Sequence, residues 1–182
     1  MSTHRIYFLL AALVFAGPAA AQDAGRRGVM LEVPAALGFI WHATDRVALR
    51  PEVNLSTSKT SSNSGASGFT ADGLAWGVAI SAPYYMTNRD NVRTYVSPRV
   101  SYARSTTDAG VPGATLKSTA TQLVYSGSFG AQYAPIRRFN VFGETGYSFS
   151  SIKNTSTALS STSTTSGWSV RSTVGVILYF EH

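Results

Sequence analysis

Between Trp168 and Phe180 the chain reads W-S-V-R-S-T-V-G-V-I-L-Y-F. Trp168, Val170, Val174, Val176, Leu178 and Phe180 stand at alternate positions, with Ser169, Arg171, Thr173 and Gly175 between them. Successive side chains of a strand point to opposite faces, so this stretch makes a strand with one apolar face and one that carries an arginine. The same period of two returns along most of the preceding sequence. It explains how a chain that is 44% hydrophobic keeps its mean hydropathy near zero: the apolar residues are dispersed by alternation and not gathered into blocks. A helix cannot use that period.

Six earlier stretches repeat it. They are Val29–Trp41, a run from Arg46 to Ser56, Ala71–Tyr85, Arg93–Arg104, Thr121–Tyr133 and Phe139–Ser150. Short turns fall at His42–Asp45, Thr87–Asn91 and Pro135–Arg138. Longer loops fall at 57–70, 105–118 and 152–166, the first and last dominated by serine and threonine. Seven strands joined alternately by short turns and long loops predict an all-β, antiparallel up-and-down barrel. Pro98, mid-strand and without an N–H to donate, predicts a bulge or a broken pairing.

The one apolar block is N-terminal. His4 and Arg5 precede Ile6–Phe15, and Ala19-Ala20-Ala21 precede Gln22. A charged start, a short apolar core and small residues at the exit describe a secretory signal, and the block falls short of the ~20 residues that span a bilayer as a helix. The expected division is a signal peptide, 1–21, and one barrel domain, 22–182. The chain contains no cysteine, which removes disulfides, thiol catalysis and cysteine metal sites. A net charge of +6 raises nucleic acid as a partner, but the arginines stand singly along exported strands, which argues against it.

With no helical span, such a chain can cross a membrane only as a closed barrel. A soluble lipocalin-like barrel would carry an apolar lumen and a polar exterior. Here the polar face is built of Gly, Ala, Ser, Gln and isolated charges, as a crowded lumen requires. Aromatic residues also gather at the strand ends, Trp41, Tyr84, Tyr133, Phe139, Tyr179 and Phe180 by the short turns and Tyr102, Tyr147, Phe149 and Trp168 towards the loops, as in two interfacial girdles. Seven clear strands conflict with the even number of single-chain barrels: eight are expected if residues 22–28 form part of another strand, and otherwise seven close with the first and last strands paired in parallel.

Thr173, Gly175, Leu178 and the aromatic Phe180 resemble the C-terminal assembly signal of bacterial outer-membrane β-barrels, although Glu181 and His182 follow the aromatic that normally ends such chains. The whole mature chain resembles a small barrel of the OmpA/OmpX-like type. That resemblance implies the outer membrane as location, the barrel assembly machinery as a partner in biogenesis, and outer-membrane lipid and lipopolysaccharide as surroundings. It also implies Thr-rich loop stems that carry strands above the membrane and present a surface for adhesion to a host or other surface ligand through loops 57–70, 105–118 and 152–166.

The lumen-facing positions include Glu32, Arg50, Glu52, Arg99, Glu144 and Arg171, three acids against three bases. Charges in a narrow barrel persist when paired, and a lumen of about eight strands is filled by side chains, so a polar core is expected before an ion path. Arg171 is expected to be held by Glu144, Glu32 or both. An outer-leaflet lipid enzyme would need a base beside a nucleophile near the outer surface, whereas His42 and His182 fall at the opposite end. His42 reads as a turn residue. No cofactor or metal is expected. Lys59, Arg104, Lys117 and Lys153 lie near the loop ends, where they are candidates to contact lipopolysaccharide phosphates. The reading is a non-enzymatic outer-membrane barrel with a structural or surface-interaction role. A narrow low-conductance channel is the first alternative, and a lipid-modifying enzyme the second.

Overall fold

The computed structural model describes residues 24–34, 36–64, 67–89, 91–111, 114–156 and 161–180. The expected signal peptide, 1–21, lies outside them, as do Glu181 and His182. The described chain forms nine strands: β1 (Arg27–Val33), β2 (Ala36–His42), β3 (Ala48–Ser64), β4 (Ser67–Ser81), β5 (Tyr84–Arg89), β6 (Val92–Val111), β7 (Ala114–Ile136), β8 (Phe139–Ser156) and β9 (Ser161–Phe180). All pairings are antiparallel, and β1 meets β9 from Arg27 opposite Phe180 to Val33 opposite Val174. β4 and β5 follow one another along the same side of β6, with Ser81 opposite Arg99 and Tyr84 opposite Val96. Nine strands therefore fill eight places around a closed ring.

Three expectations are corrected. The stretch Val29–Trp41 is not one strand but the hairpin of β1 and β2, reversed at Pro34 after a cis Val33–Pro34 bond. Proline fixes its φ and offers no N–H to the ladder. The alternation runs through the reversal without a change of phase because Glu32 lies opposite Ala36 and Arg27 opposite Trp41. Like-parity residues face each other, so odd positions stay outward on both strands and a period of two cannot see the turn. This hairpin supplies the strand that the sequence count lacked, and Arg27 and Gly28, the last two of residues 22–28, begin it.

The stretch Ala71–Tyr85 is likewise two strands. The ladder between β4/β5 and β6 is interrupted where Pro83 meets the region of Pro98, two residues that cannot donate, and only Ala82 N–H reaches the Pro98 carbonyl at 3.0 Å. The break falls on that side alone, since Pro98 keeps its place opposite Gly127 on β7. Finally, most of the three expected loops is strand. β3 and β4 pair up to Ser64–Ser67, β6 and β7 up to Val111–Ala114, and β8 and β9 up to Ser156–Ser161. Threonine and serine suit these solvated extensions because cross-strand hydroxyls can bond one another and β-branching favours extended backbone.

The outer face carries an apolar belt. Leu31, Leu37, Val53, Leu74, Val78, Tyr125, Phe129, Val174 and Leu178 all point away from the lumen and stay exposed. Exposure of large apolar side chains on this scale marks a surface made for another medium. The ring pairs Trp76–Tyr102 and Phe149–Trp168, with centroids 5.7 and 5.2 Å apart, mark its outer rim. No helix among the described residues is long and apolar enough to cross a membrane.

Candidate functional site

The lumen is filled in layers. At the short-turn end, Tyr85 Oη–H donates to Gln132 Oε1 at 2.8 Å, Gln132 Nε2 donates to Tyr179 Oη at 3.2 Å, and His42 Nε2 lies 3.0 Å from the same phenol. The His42 ring is stacked on Tyr85 at 5.4 Å. His42 is therefore a fully buried lumen residue and not a turn residue, and Tyr179 belongs to the lumen and not to the girdle. Met30, Ile40, Phe142 and Ile177 pack beside them as an apolar plug. These four sit on the otherwise polar faces of their strands, so the alternation of neighbouring residues does not reveal them.

Above the plug lies the charge layer, into which β1, β3, β6, β8 and β9 bring Glu32, Arg50, Glu52, Arg99, Glu144 and Arg171. Glu144 is its centre. It forms an ion pair with Arg50 across the lumen, accepts from Arg171 Nη1 at 3.3 Å, and accepts from Tyr95 Oη at 2.9 Å and Ser128 Oγ at 3.0 Å. Arg171 also bonds Glu32. Arg50 donates to Ser81 Oγ at 3.0 Å and Ser97 Oγ at 3.1 Å. Arg99 holds Glu52 through Nε at 3.0 Å and Nη2 at 2.5 Å, and Ser81 Oγ links Glu52 back to Arg50 at 3.3 Å. Three acids and three bases thus form one connected network, the arrangement in which buried charges are tolerated.

Of the proposed assembly residues, Thr173 lies opposite Glu144 of this layer, and Leu178 and Phe180 lie towards the short-turn end, opposite Phe139 and Arg27. Thr173 is buried on the lumen face, while Leu178 and Phe180 point outward. At Gly175 a Cβ would stand 2.4 Å from the Leu31 carbonyl oxygen and 2.5 Å from the Phe142 ring, so the β1–β9 seam closes at that spacing only around glycine.

The four outer cations differ from one another. Lys59 lies opposite Asp72, Asp72 opposite Asp108, and Asp108 opposite Lys117, which makes one row across four strands. Lys59 and Asp72 are 3.7 Å apart, and Lys117 and Asp108 4.0 Å. Arg104 and Lys153 flank Thr121 in another row, two strand spacings or about 10 Å apart. No ion pair holds either of them among the described residues. Sequence reasoning missed a further feature, which shows only once the short turns are gathered: Arg26, Arg27, Arg46, Arg89, Arg93, Arg137 and Arg138 all stand at that end of the barrel. The described residues hold no group of three or more histidines or carboxylates arranged for a metal ion.

No protein-family model matches the sequence, and no curated protein does. Solved structures do match. A major outer membrane protein from Thermus thermophilus is 13% identical with a TM-score of 0.58, over 85% of this chain and 99% of its own. CarO2 of Acinetobacter baumannii is 11% identical with a TM-score of 0.44, over 85% and 97% of the two chains. Ail, the attachment invasion locus protein of Yersinia pestis, is 11% identical with a TM-score of 0.44, over 85% and 93%. Likeness at these identities concerns the fold, and the first of them carries it: the chain folds as a small outer-membrane β-barrel.

Proposed function

We propose that this outer-membrane barrel acts in the envelope as a non-enzymatic structural and surface-interaction protein, exported by residues 1–21 and inserted with Thr173, Gly175, Leu178 and Phe180 as its assembly signal. The observation that carries the reading is the floor of the lumen. An apolar and aromatic plug and a closed ion-pair layer are stacked across it, which leaves solute transport without a path and leaves the strand extensions as the working surface. Those extensions lift the hairpin ends around 57–70, 105–118 and 152–166 clear of the apolar belt, where a host or other surface ligand would meet them. The enzymatic alternative finds little support, since the only histidine among the described residues, His42, is buried at the far end from the outer leaflet.

Purified protein in a planar bilayer should give no resolved conductance steps. Regular steps would replace this reading with the narrow channel.

Lipid contacts divide by end. The short-turn arginines suit the phosphates of inner-leaflet phospholipid. At the outer end, Arg104 and Lys153 are the better candidates for lipopolysaccharide phosphates, because aspartates already face Lys59 and Lys117. Changing Arg104 and Lys153 to glutamine should lower co-purifying lipopolysaccharide severalfold. The same change at Lys59 and Lys117 should leave it near the wild-type level.

A further inference from the structure

The β1–β2 hairpin is shorter than every other part of the wall. Its ladder with β9 ends at Val33 opposite Val174, whereas β9 continues upward to Ser161. Its ladder with β3 reaches only Leu37 opposite Val53, whereas β3 continues to Ser64. Above Pro34 the wall therefore has a notch two strands wide, bounded by the edges of β3 and β9. Those edges stand three strand spacings apart, roughly 14 Å. The notch opens within the apolar belt, since Trp168 and Val170 on β9 and Leu55 on β3 lie beside it and are 76, 68 and 71% exposed.

Strand edges are not stable against hydrocarbon; at that depth irregular or unpaired backbone survives only where it lines a polar cavity. Such a cavity is present. An inner chamber of about 400 Å³ is lined by Asn54, Arg99, Gln122, Ser148, Ser169 and Arg171, with Pro34 at its lip. Outside the wall, a groove of about 580 Å³ runs past Val33, Ala131, Gly143 and Val174. The two meet around the β9 edge, sharing Pro34, Ser172 and Thr173. The floor of the chamber is also polarised. The side chains of Glu32, Glu52 and Glu144 are only 4, 1 and 1% exposed, while Arg171 and Arg99 keep 16 and 15%. Glu32 shares the lining of the chamber, but the charged groups most exposed there are the guanidinium groups of Arg171 and Arg99.

We propose that the notch is a lateral binding site for a single-chain anionic amphiphile. Its carboxylate or phosphate head enters the chamber towards Arg171 and Arg99, and its acyl chain leaves over Pro34 into the outer groove and the outer leaflet. A polar chamber joined sideways to an apolar groove at membrane depth fits that class. A free solute would leave the groove empty, and a two-chain lipid would not pass its head through the notch with both tails in one groove. The site is compatible with the closed floor, since the ligand enters and leaves from the side.

The test uses the full-length protein in phosphatidylcholine nanodiscs, titrated with radiolabelled oleate, with lysophosphatidylglycerol and with zwitterionic lysophosphatidylcholine. Saturable binding of one anionic amphiphile per barrel is expected, at least tenfold tighter than the zwitterion. The tighter of the two anions identifies the head group. Ala36→Trp narrows the inner side of the notch, and Ser169→Trp fills the chamber beside the exposed β9 edge. Each should weaken binding tenfold or more while unheated protein keeps its fast mobility in SDS gels. Purely linear partitioning, equal affinity for the zwitterion, or unchanged affinity in a folded Ser169→Trp barrel would each overturn the proposal.

Discussion

Glu144→Leu should destabilise the barrel by about 3–5 kcal/mol, the range for removing one partner of a buried ion pair. The carboxylate is 1% exposed and, among the described residues, is the group that pairs Arg50, itself 2% exposed, with an opposite charge. Without it, Arg50 keeps two serine hydroxyls and loses its ion pair, Tyr95 Oη loses its acceptor, and Ser128 Oγ keeps the Ser97 carbonyl oxygen at 3.3 Å. Urea unfolding followed by the gel shift between folded and boiled protein measures the loss. Adding Arg50→Met removes the stranded charge, so the double variant should be more stable than Glu144→Leu alone. Arg171→Ala belongs to the same network, and its cycle with Glu144 should show a coupling of about 0.5–3 kcal/mol. Additive effects across both cycles would mean that the network is not desolvated as its burial implies.

Face assignment is legible in the sequence, and partnership is not. Alternation alone puts Glu32, Arg50, Glu52, Arg99, Glu144 and Arg171 on lumen faces, because side-chain parity is a local property of a strand. Which of them meet depends on register and on position around the ring. Glu144 on β8 and Arg50 on β3 are not on neighbouring strands, and no local signal links them. The same limit hides the row Lys59–Asp72–Asp108–Lys117, whose members come from three separate expected segments. Reversal of the chain at Pro34 is invisible for a different reason: a turn that opposes like-parity residues leaves the pattern intact. The proline is the available signal, and the unbroken alternation of Val29–Trp41 masks it. The loops come out too long because serine and threonine read as loop residues, although they serve as well on paired, solvated strands as they do in turns. His42 is misplaced because a polar residue beside a turn reads as part of the turn, when its parity with Ile40 already puts it on the lumen face.

Two glycines on facing strands provide the sharpest test of the register. Gly146 of β8 lies opposite Ser128 of β7, and Gly127 lies opposite Tyr147. A Cβ at Gly146 would stand 2.1 Å from the Gly127 carbonyl oxygen and 2.5 Å from Ser128 Cα, both backbone atoms that cannot step aside as a flexible side chain can. The two strands would have to separate, breaking ladder bonds in a ring that closes only if every strand keeps its spacing. Gly146→Ala should therefore exceed the usual 1–3 kcal/mol of overpacking, about 3 kcal/mol or more, and yield little or no fast-migrating folded band. A Cβ at Gly127 meets nothing within 4 Å, because that residue points outward on the opposite parity. Gly127→Ala should then stay within about 0.5 kcal/mol of wild type. The two substitutions have the same chemistry and sit one residue apart across a single ladder, so only the face each glycine occupies separates them. Equal stability of the two variants would mean that β7 and β8 pair in another register, and a one-residue slip would exchange their lumen and membrane faces.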